Sequence, residues 1–198
     1  MKEVIFVILE GFADWEGAYI ATCWNQGVKP GNPISYKVKT LSITQEPVSS
    51  IGGFRVLPDY GLKDMAEDYA GLVLIGGMNW FSPEAELIVP LVEKAIKEKK
   101  LVAGICNASV FLGMHGFLNE VKHTSNTLNY LKQYAGDKYT GDSNYINEQA
   151  VRDENIVTAN GTGQLEFCKE ILYALEADTA DAIEESYLFY KNGFCPGA

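Results

Sequence analysis

The sequence has little positive charge, no closely paired cysteines and only two histidines. Its 198 residues include 16 Lys and Arg against 26 Asp and Glu, for a formal net charge of −10. Nucleic acids and anionic membrane surfaces bind basic faces, so this balance argues against both as partners. None of the four cysteines belongs to a CxxC pair, which argues against a zinc site and against a disulfide framework. We therefore expect neither a metal nor a cofactor.

Long hydrophobic runs are also missing. The apolar run at the N-terminus, Val4 to Leu9, is too short for a signal peptide or a membrane span. The scattered cysteines are expected to be reduced thiols, and we predict a cytoplasmic protein. The length suits one domain, and no repeat, low-complexity segment or linker divides it. We predict a single domain over residues 1–198, with a C-terminal helical extension from about residue 179.

The sequence contains instead a series of buried strands that alternate with helices. Four apolar runs show no alternation, which is typical of parallel strands buried on both faces: VIFVIL, GLVLIGG, KLVAGIC and NIVTANG. SYKVKTLSIT is partly alternating and is placed nearer a sheet edge, and Pro90 is expected to divide two short helices. This order predicts an α/β fold, a doubly wound, mostly parallel sheet with helices on both faces.

Ligands of such sheets bind beyond the carboxyl ends of the strands. That edge is expected to collect four loops, at residues 10–16, 76–80, 106–108 and 160–163. Three of the four contain glycines next to polar groups, so we expect any functional site to lie there.

One cysteine stands where a predicted strand changes into a predicted helix, in LVAGICNASVFLGMHG. A sharp strand-to-helix turn exposes its corner side chain, as in the nucleophile elbow G-x-S-x-G, and GICNA fits this pattern with Cys106 in place of Ser. The start of a helix favours a thiolate, which predicts a lowered pKa for Cys106. The backbone N–H groups of Asn107 and Gly77 are candidate oxyanion donors. From these residues alone, a small buried cysteine that fills the strand end is an equal alternative.

These motifs resemble the ThiJ/PfpI family of the class I glutamine amidotransferase-like superfamily. The resemblance covers about residues 3–175 and rests on ILEGFADWEGA, SSIGGFRVLPDYGLKD, GLVLIGG, LVAGICNAS and NIVTANGTGQLEF. It implies a flavodoxin-like sandwich, a homodimer and a small-molecule substrate. It also implies that Cys106 is the nucleophile, that Glu16 is the carboxyl group in contact with the thiol, and that Gly77 is the oxyanion glycine.

The sequence departs from the family pattern at the histidines. Asn107 follows the cysteine directly, and Asn126 stands about twenty positions on, where other members have His. His123, three residues before Asn126, is a possible base if that loop is rearranged. No downstream His-x-Glu exists, which argues against a glutamine amidotransferase. The candidates for the proton-transferring group are therefore Glu16, Asp14 and a displaced His123, and Glu16 is the best of them.

The resemblance leads to an enzyme hypothesis and an alternative. The first is a cysteine-dependent hydrolase, or a deglycase or glyoxalase, that acts on a small amide, ester or reactive carbonyl. The alternative is a non-catalytic redox or stress-response protein in which Cys106 is oxidised to a sulfinate and held by Glu16. We favour the enzyme because the elbow and the oxyanion elements are intact.

A third and weaker interpretation of the sequence is a sugar- or metabolite-binding module. Aromatic residues at the same edge of the sheet would line its site, namely Trp15, Trp80 and Phe81. The remaining cysteines, Cys23, Cys168 and Cys195, are interpreted as structural.

Overall fold

A computed structural model describes residues 1–193, and Cys195 lies outside them. The strands are β1 (Lys2–Val7), β2 (Tyr36–Leu41), β3 (Val48–Ser49), β4 (Arg55–Val56), β5 (Tyr69–Leu74), β6 (Leu101–Ile105), β7 (Ala150–Asp153) and β8 (Ile156–Ala159). The helices are α1 (Asp14–Gln26), α2 (Val89–Lys97), α3 (Asn107–Met114), α4 (Leu128–Ala135), α5 (Gln164–Ala174) and α6 (Ala180–Asn192). Short 3₁₀ helices occur at Met78–Phe81, Pro83–Ile88, Gly136–Lys138 and Asp142–Asn144.

Six strands form one sheet in the order β2-β1-β5-β6-β8-β7. All neighbours are parallel except β7 and β8, and β3 pairs with β4 in a separate antiparallel hairpin. The predicted α/β fold with a mostly parallel sheet is confirmed, and β2 lies at an edge as expected. The sequence analysis did not predict β7, because its four residues are only partly buried and show no continuous apolar run.

The two faces of the sheet carry separate apolar layers, because successive strand residues point to opposite sides. Val4 and Phe6 belong to the layer covered by α1, α5 and α6. Ile5 and Val7 belong to the layer covered by α2, α3 and α4. Because the strands β1, β5, β6 and β8 are parallel, their carboxyl ends lie at one common edge of the sheet. This edge carries all four loops predicted to form the site.

Proline and threonine residues mark helix starts in two segments of interest. Pro90 lies in the first turn of α2, where its missing N–H removes no helical hydrogen bond, and a 3₁₀ helix precedes it. Thr179 caps α6, and its side chain accepts a hydrogen bond from the Ala182 N–H.

Among residues 1–193, no helix combines the length and the apolar character needed to cross a membrane.

Candidate active site

Cys106 forms the bend between β6 and α3 and has a strained backbone. Its φ of 57° and ψ of −127° lie in a region that residues with a side chain rarely adopt. The Cys106 N–H donates to the Ala159 carbonyl at 2.9 Å, and its own carbonyl accepts from the Ser109 hydroxyl at 2.6 Å. These bonds to β8 and to the first turn of α3 hold the bend, and the side chain is partly exposed.

Glycines let two loops approach the bend closely and let a third pack against one of them. A Cβ at Gly161 would lie 3.0 Å from the Cys106 sulfur, and one at Gly76 would lie 2.7 Å from the Cys106 Cβ. Gly77 has a φ of +150°, and a Cβ there would lie 2.6 Å from the Gly11 carbonyl oxygen. Gly76 and Gly161 belong to the predicted loops but were not singled out as site residues; the signal that points to them is a glycine shortly after a buried strand.

Glu16 is a buried carboxyl group beside the thiol. Only 1% of its surface is exposed, and its Oε2 accepts a hydrogen bond from the Gly76 N–H at 2.9 Å. Burial raises the pKa of Glu16 to about 7, against the lowering effect of hydrogen bonds with Gly76 and Cys106. At neutral pH the carboxyl group therefore exists in both protonation states, as proton transfer requires.

The thiol pKa differs from the one predicted from the helix start. Burial and the charge of the neighbouring Glu16 raise the pKa of Cys106 above its ordinary value, although hydrogen bonds from the Asn126 side chain and the Asn107 backbone lower it in part. The prediction of a lowered pKa is therefore wrong. It considered only the helix start, and neither the burial of the sulfur nor the charge of Glu16 was weighed against it.

Asparagine occupies both positions where histidines were sought, and the side chain of one of them contacts the sulfur. The Asn126 Nδ2 lies 3.5 Å from the Cys106 Sγ and 3.3 Å from the Asn107 Oδ1. The Asn126 Oδ1 accepts from the Gly161 N–H at 3.0 Å, and the Asn107 Nδ2 donates to the Gly77 carbonyl at 3.1 Å. The two amides thus connect the loop after β5 with the loop after β8.

The structure does not bring His123 to the thiol. Its ring is fully buried, with Nδ1 at 2.7 Å from the Val121 carbonyl and Nε2 at 2.7 Å from the Tyr139 hydroxyl. Burial is the main effect that lowers the pKa of His123. Both nitrogens are engaged away from Cys106, which leaves Glu16 as the titratable group beside the sulfur.

The aromatic residues at this edge do not form a common wall. Trp80 is 1% exposed and donates its Nε1–H to the Ile75 carbonyl at 2.6 Å, so it packs in the core. Phe81 stacks on Tyr134 with ring centroids 4.5 Å apart, and Trp15 is 45% exposed. Within residues 1–193, no three His, Cys, Asp or Glu side chains are grouped so as to hold a metal ion.

Known proteins resemble the chain over most of its length. Residues 2–174 match the model of the DJ-1/PfpI family. A Bacillus subtilis (strain 168) protein named uncharacterized protease YdeA is 38% identical over 195 residues, 98% of this chain and 93% of the relative. The glutathione-independent glyoxalase DJR-1.2 of Caenorhabditis elegans is 30% identical over 135 residues, 66% of this chain and 69% of the relative.

A solved structure gives the same result. The thiJ/pfpI family protein from Bacillus anthracis superposes with a TM-score of 0.89 at 33% identity, and the match covers 96% of this chain and 90% of that one. The names of the relatives include a protease and a glyoxalase, so these relatives share the family but differ in the activity that their names give.

Proposed function

The chain belongs to the DJ-1/PfpI family, and from this we propose that it is a cysteine-dependent enzyme of the glyoxalase type that acts on a small reactive carbonyl compound. The proposal depends on which groups lie around the Cys106 thiol. A buried Glu16 with a pKa of about 7 lies beside the Cys106 thiol, and the positions where histidine was sought hold Asn107 and Asn126.

Because no imidazole lies beside the sulfur, a reactive carbonyl compound is favoured as the substrate over an amide or a peptide. Amide hydrolysis requires an acid that protonates the leaving amine, a task for which cysteine and serine hydrolases use histidine. Addition of a thiol to an aldehyde has no leaving group and needs only a proton transfer within the site. Glu16 alone suffices for that transfer.

The raised thiol pKa assigns Glu16 the role of general base. As the Cys106 sulfur attacks the aldehyde carbon of a 2-oxoaldehyde, the S–C bond forms, the carbonyl π bond breaks and Glu16 takes the thiol proton. The backbone N–H groups of Gly77 and Asn107 stabilise the developing oxyanion, which then takes the proton back from Glu16 to give a hemithioacetal. Glu16 next removes the proton of the former aldehyde carbon and delivers it to the adjacent carbonyl carbon, while the hydroxyl proton passes to the adjacent oxygen, which leaves a thioester. Water hydrolyses the thioester to a 2-hydroxy acid and restores the thiol.

The proposal is tested with methylglyoxal in the absence of glutathione, with lactate as the measured product. We expect the wild type to form lactate, Cys106→Ser to form none and Glu16→Gln to lose roughly 100-fold or more of the rate. Glu10→Gln is the matched control, because Glu10 is an exposed carboxyl group in the same strand–helix loop and should not affect the rate. A wild type without lactate formation, or a Cys106→Ser variant that retains it, would overturn the proposal.

A second candidate function is favoured by the groups around the sulfur. The Asn126 Nδ2 and a protonated Glu16 are donors suited to a sulfinate, so Cys106 can instead serve as an oxidation sensor. Titration with hydrogen peroxide would then add two oxygen atoms to Cys106 in the wild type and fewer in Glu16→Leu. Full lactate-forming activity together with an inert Cys106 towards peroxide would exclude this candidate.

We also propose that the protein is a cytoplasmic homodimer. The three described cysteines are free thiols, which suits a reducing compartment. The β3–β4 hairpin exposes apolar side chains, with Phe54 66% exposed and Leu57 70% exposed. Light scattering after gel filtration should give a dimer for the wild type and for Leu87→Asp, and a monomer for Phe54→Asp. A monomeric wild type would contradict the dimer, and cell fractionation tests the location.

A further inference from the structure

Two cysteines outside the active site face each other in the core. Cys23 lies on α1 and Cys168 on α5, and their sulfur atoms are 3.9 Å apart although 145 positions separate them in the sequence. Cys23 is 5% exposed and Cys168 is 1% exposed. A disulfide requires a sulfur–sulfur distance of about 2.05 Å, so side-chain rotation has to bring the sulfurs about 2 Å closer.

The two thiols are not equivalent. A hydrogen bond with Cys168 lowers the pKa of Cys23 in spite of burial, and the Tyr19 hydroxyl acts in the same direction. Burial, followed by the hydrogen bond and the charge of Cys23, raises the pKa of Cys168 well above its ordinary value. Cys23 is therefore the thiol that ionises first, and it is also the less buried of the two.

A groove lies next to a tyrosine that contacts the pair. It has a volume of about 420 Å³ and lies between the turn after α1 and α6, with Ser186 and Tyr190 in its wall. Ser186 bonds to the Tyr19 hydroxyl at 3.3 Å, and the Tyr190 ring packs on the Tyr19 ring at 4.6 Å. Tyr19 is one helical turn before Cys23 and hydrogen-bonds to that thiol, so its side chain connects the wall of the groove to Cys23.

We propose that Cys23 and Cys168 are a second thiol site, distinct from Cys106, which a small hydroperoxide oxidises to a disulfide that joins α1 to α5. The Cys23 thiolate attacks the terminal peroxide oxygen, the O–O bond breaks, and the alcohol or water that leaves takes up a proton. The Cys168 sulfur attacks the sulfur of the resulting sulfenic acid, the S–S bond forms and the S–O bond breaks, and the Cys168 proton passes to the departing hydroxyl group, which leaves as water. The two thiols thereby supply the two electrons that reduce the peroxide.

The test uses the full-length protein with Cys106→Ser and Cys195→Ser, in which Cys23 and Cys168 are the remaining cysteines. After graded hydrogen peroxide and alkylation in denaturant, mass spectrometry should find a protein lighter by two hydrogen atoms and one cross-linked peptide pair. The crosslink closes a long loop in the unfolded chain, so Tm should rise by roughly 5 °C or more and fall back after reduction with dithiothreitol.

A matched control separates the disulfide from general oxidation. In the same background, Cys168→Ser should leave Cys23 to gain oxygen atoms with no crosslink and no rise in Tm. The proposal is overturned if Cys23 and Cys168 stay reduced at peroxide concentrations that fully oxidise Cys106 in the wild type. Separate oxidation of the two thiols, or a crosslink between chains, also overturns it. These outcomes are read on the protein that retains both thiols, so they stand even if Cys168→Ser does not fold.

Discussion

At the scale of single residues, the site depends on the replacement of imidazoles by amides. An asparagine donates a hydrogen bond to sulfur but carries no charge and takes up no proton near neutral pH. The 3.5 Å contact of the Asn126 Nδ2 with the Cys106 sulfur therefore stabilises the thiolate without serving as a base. The Gly161 N–H, which donates to the Asn126 Oδ1, orients the amide so that its nitrogen faces the sulfur.

The first prediction concerns Asn126. Asn126→Leu removes a donor to the thiolate, so we expect the pKa of Cys106 to rise and alkylation by iodoacetamide at pH 7 to slow by about fivefold, the effect of one hydrogen bond. Asn126→Asp should slow it further, because a carboxylate repels the thiolate. Asn25→Leu, at an exposed position of α1, is the control. Identical pH–rate profiles for the wild type and Asn126→Leu would show that the amide does not contact the sulfur in solution.

The second prediction concerns the close approach of Gly161 to the Cys106 thiol. Gly161→Ala places a Cβ 3.0 Å from the Cys106 sulfur, a distance tighter than ordinary contacts. We expect the sulfur to shift and alkylation to slow, with a loss of stability of about 1–3 kcal/mol typical of overpacking. Gly31→Ala is a control with open space around the new Cβ, although its positive φ strains an alanine there. Equal alkylation rates in Gly161→Ala and the wild type would mean that the loop moves away freely.

At the scale of elements, the polar side chains of the candidate site lie at or next to the starts of helices. Glu16 lies in the first turn of α1, Asn107 is the first residue of α3, and Asn126 directly precedes the Thr127 cap of α4. Helix starts are the places where β–α loops end, so parallel strands bring these residues to one edge. The precision of the site therefore depends on how firmly these helices begin.

The third prediction compares two helix caps of the same kind. Thr127 accepts from the Tyr130 N–H at 3.1 Å, and Thr179 accepts from the Ala182 N–H at 3.3 Å. Either substitution by alanine should lower the free energy of unfolding by about 1 kcal/mol in chemical denaturation. Thr127→Ala should also slow alkylation of Cys106, because it loosens the residue after Asn126, whereas Thr179→Ala should leave it unchanged. Equal effects of both variants on Cys106 would contradict a local role for the α4 cap.

At the scale of the whole molecule, a buried carboxyl group links the candidate site to stability. The folded protein binds the Glu16 proton more tightly than the unfolded chain, since burial raises the pKa of Glu16 from 4.5 to about 7. Below pH 4.5 both states hold this proton. Between pH 4.5 and 7 the unfolded chain releases it while the folded protein keeps it, so the contribution of Glu16 to stability is lost as the pH rises.

The fourth prediction follows from that sign. We expect the free energy of unfolding of the wild type, relative to Glu16→Gln, to fall by about 3 kcal/mol between pH 4.5 and 7 and to change little immediately above pH 7. The pKa values of His115 and His123 are lowered mainly by burial, which destabilises both proteins alike at acidic pH, so the difference isolates Glu16. Urea titrations at several pH values give the curves. Parallel curves would show that Glu16 is solvated in the folded protein.

Sequence alone was sufficient for the fold and for the edge of the sheet at which the candidate loops meet. Runs such as VIFVIL and GLVLIGG are local patterns, and strands that are buried on both faces and alternate with helices have few ways to pack. The bend at Cys106 was equally local, because an apolar run, a cysteine and a helical pattern follow one another directly. Such features depend on neighbours in the chain, and a sequence displays those neighbours.

Only the tertiary structure decided the pKa values and the hydrogen-bond partners of the groups at the candidate site. The Gly76 N–H that holds Glu16 is 60 positions away in the sequence, and the Asn126 amide is 20 positions from Cys106. Burial and charge act through space, so the raised pKa values of Glu16 and Cys106 required the packed loops. The same reason explains why His123 lies away from the thiol and why Cys23 meets Cys168: side-chain partners are set by the packing of helices and loops, which no local pattern records.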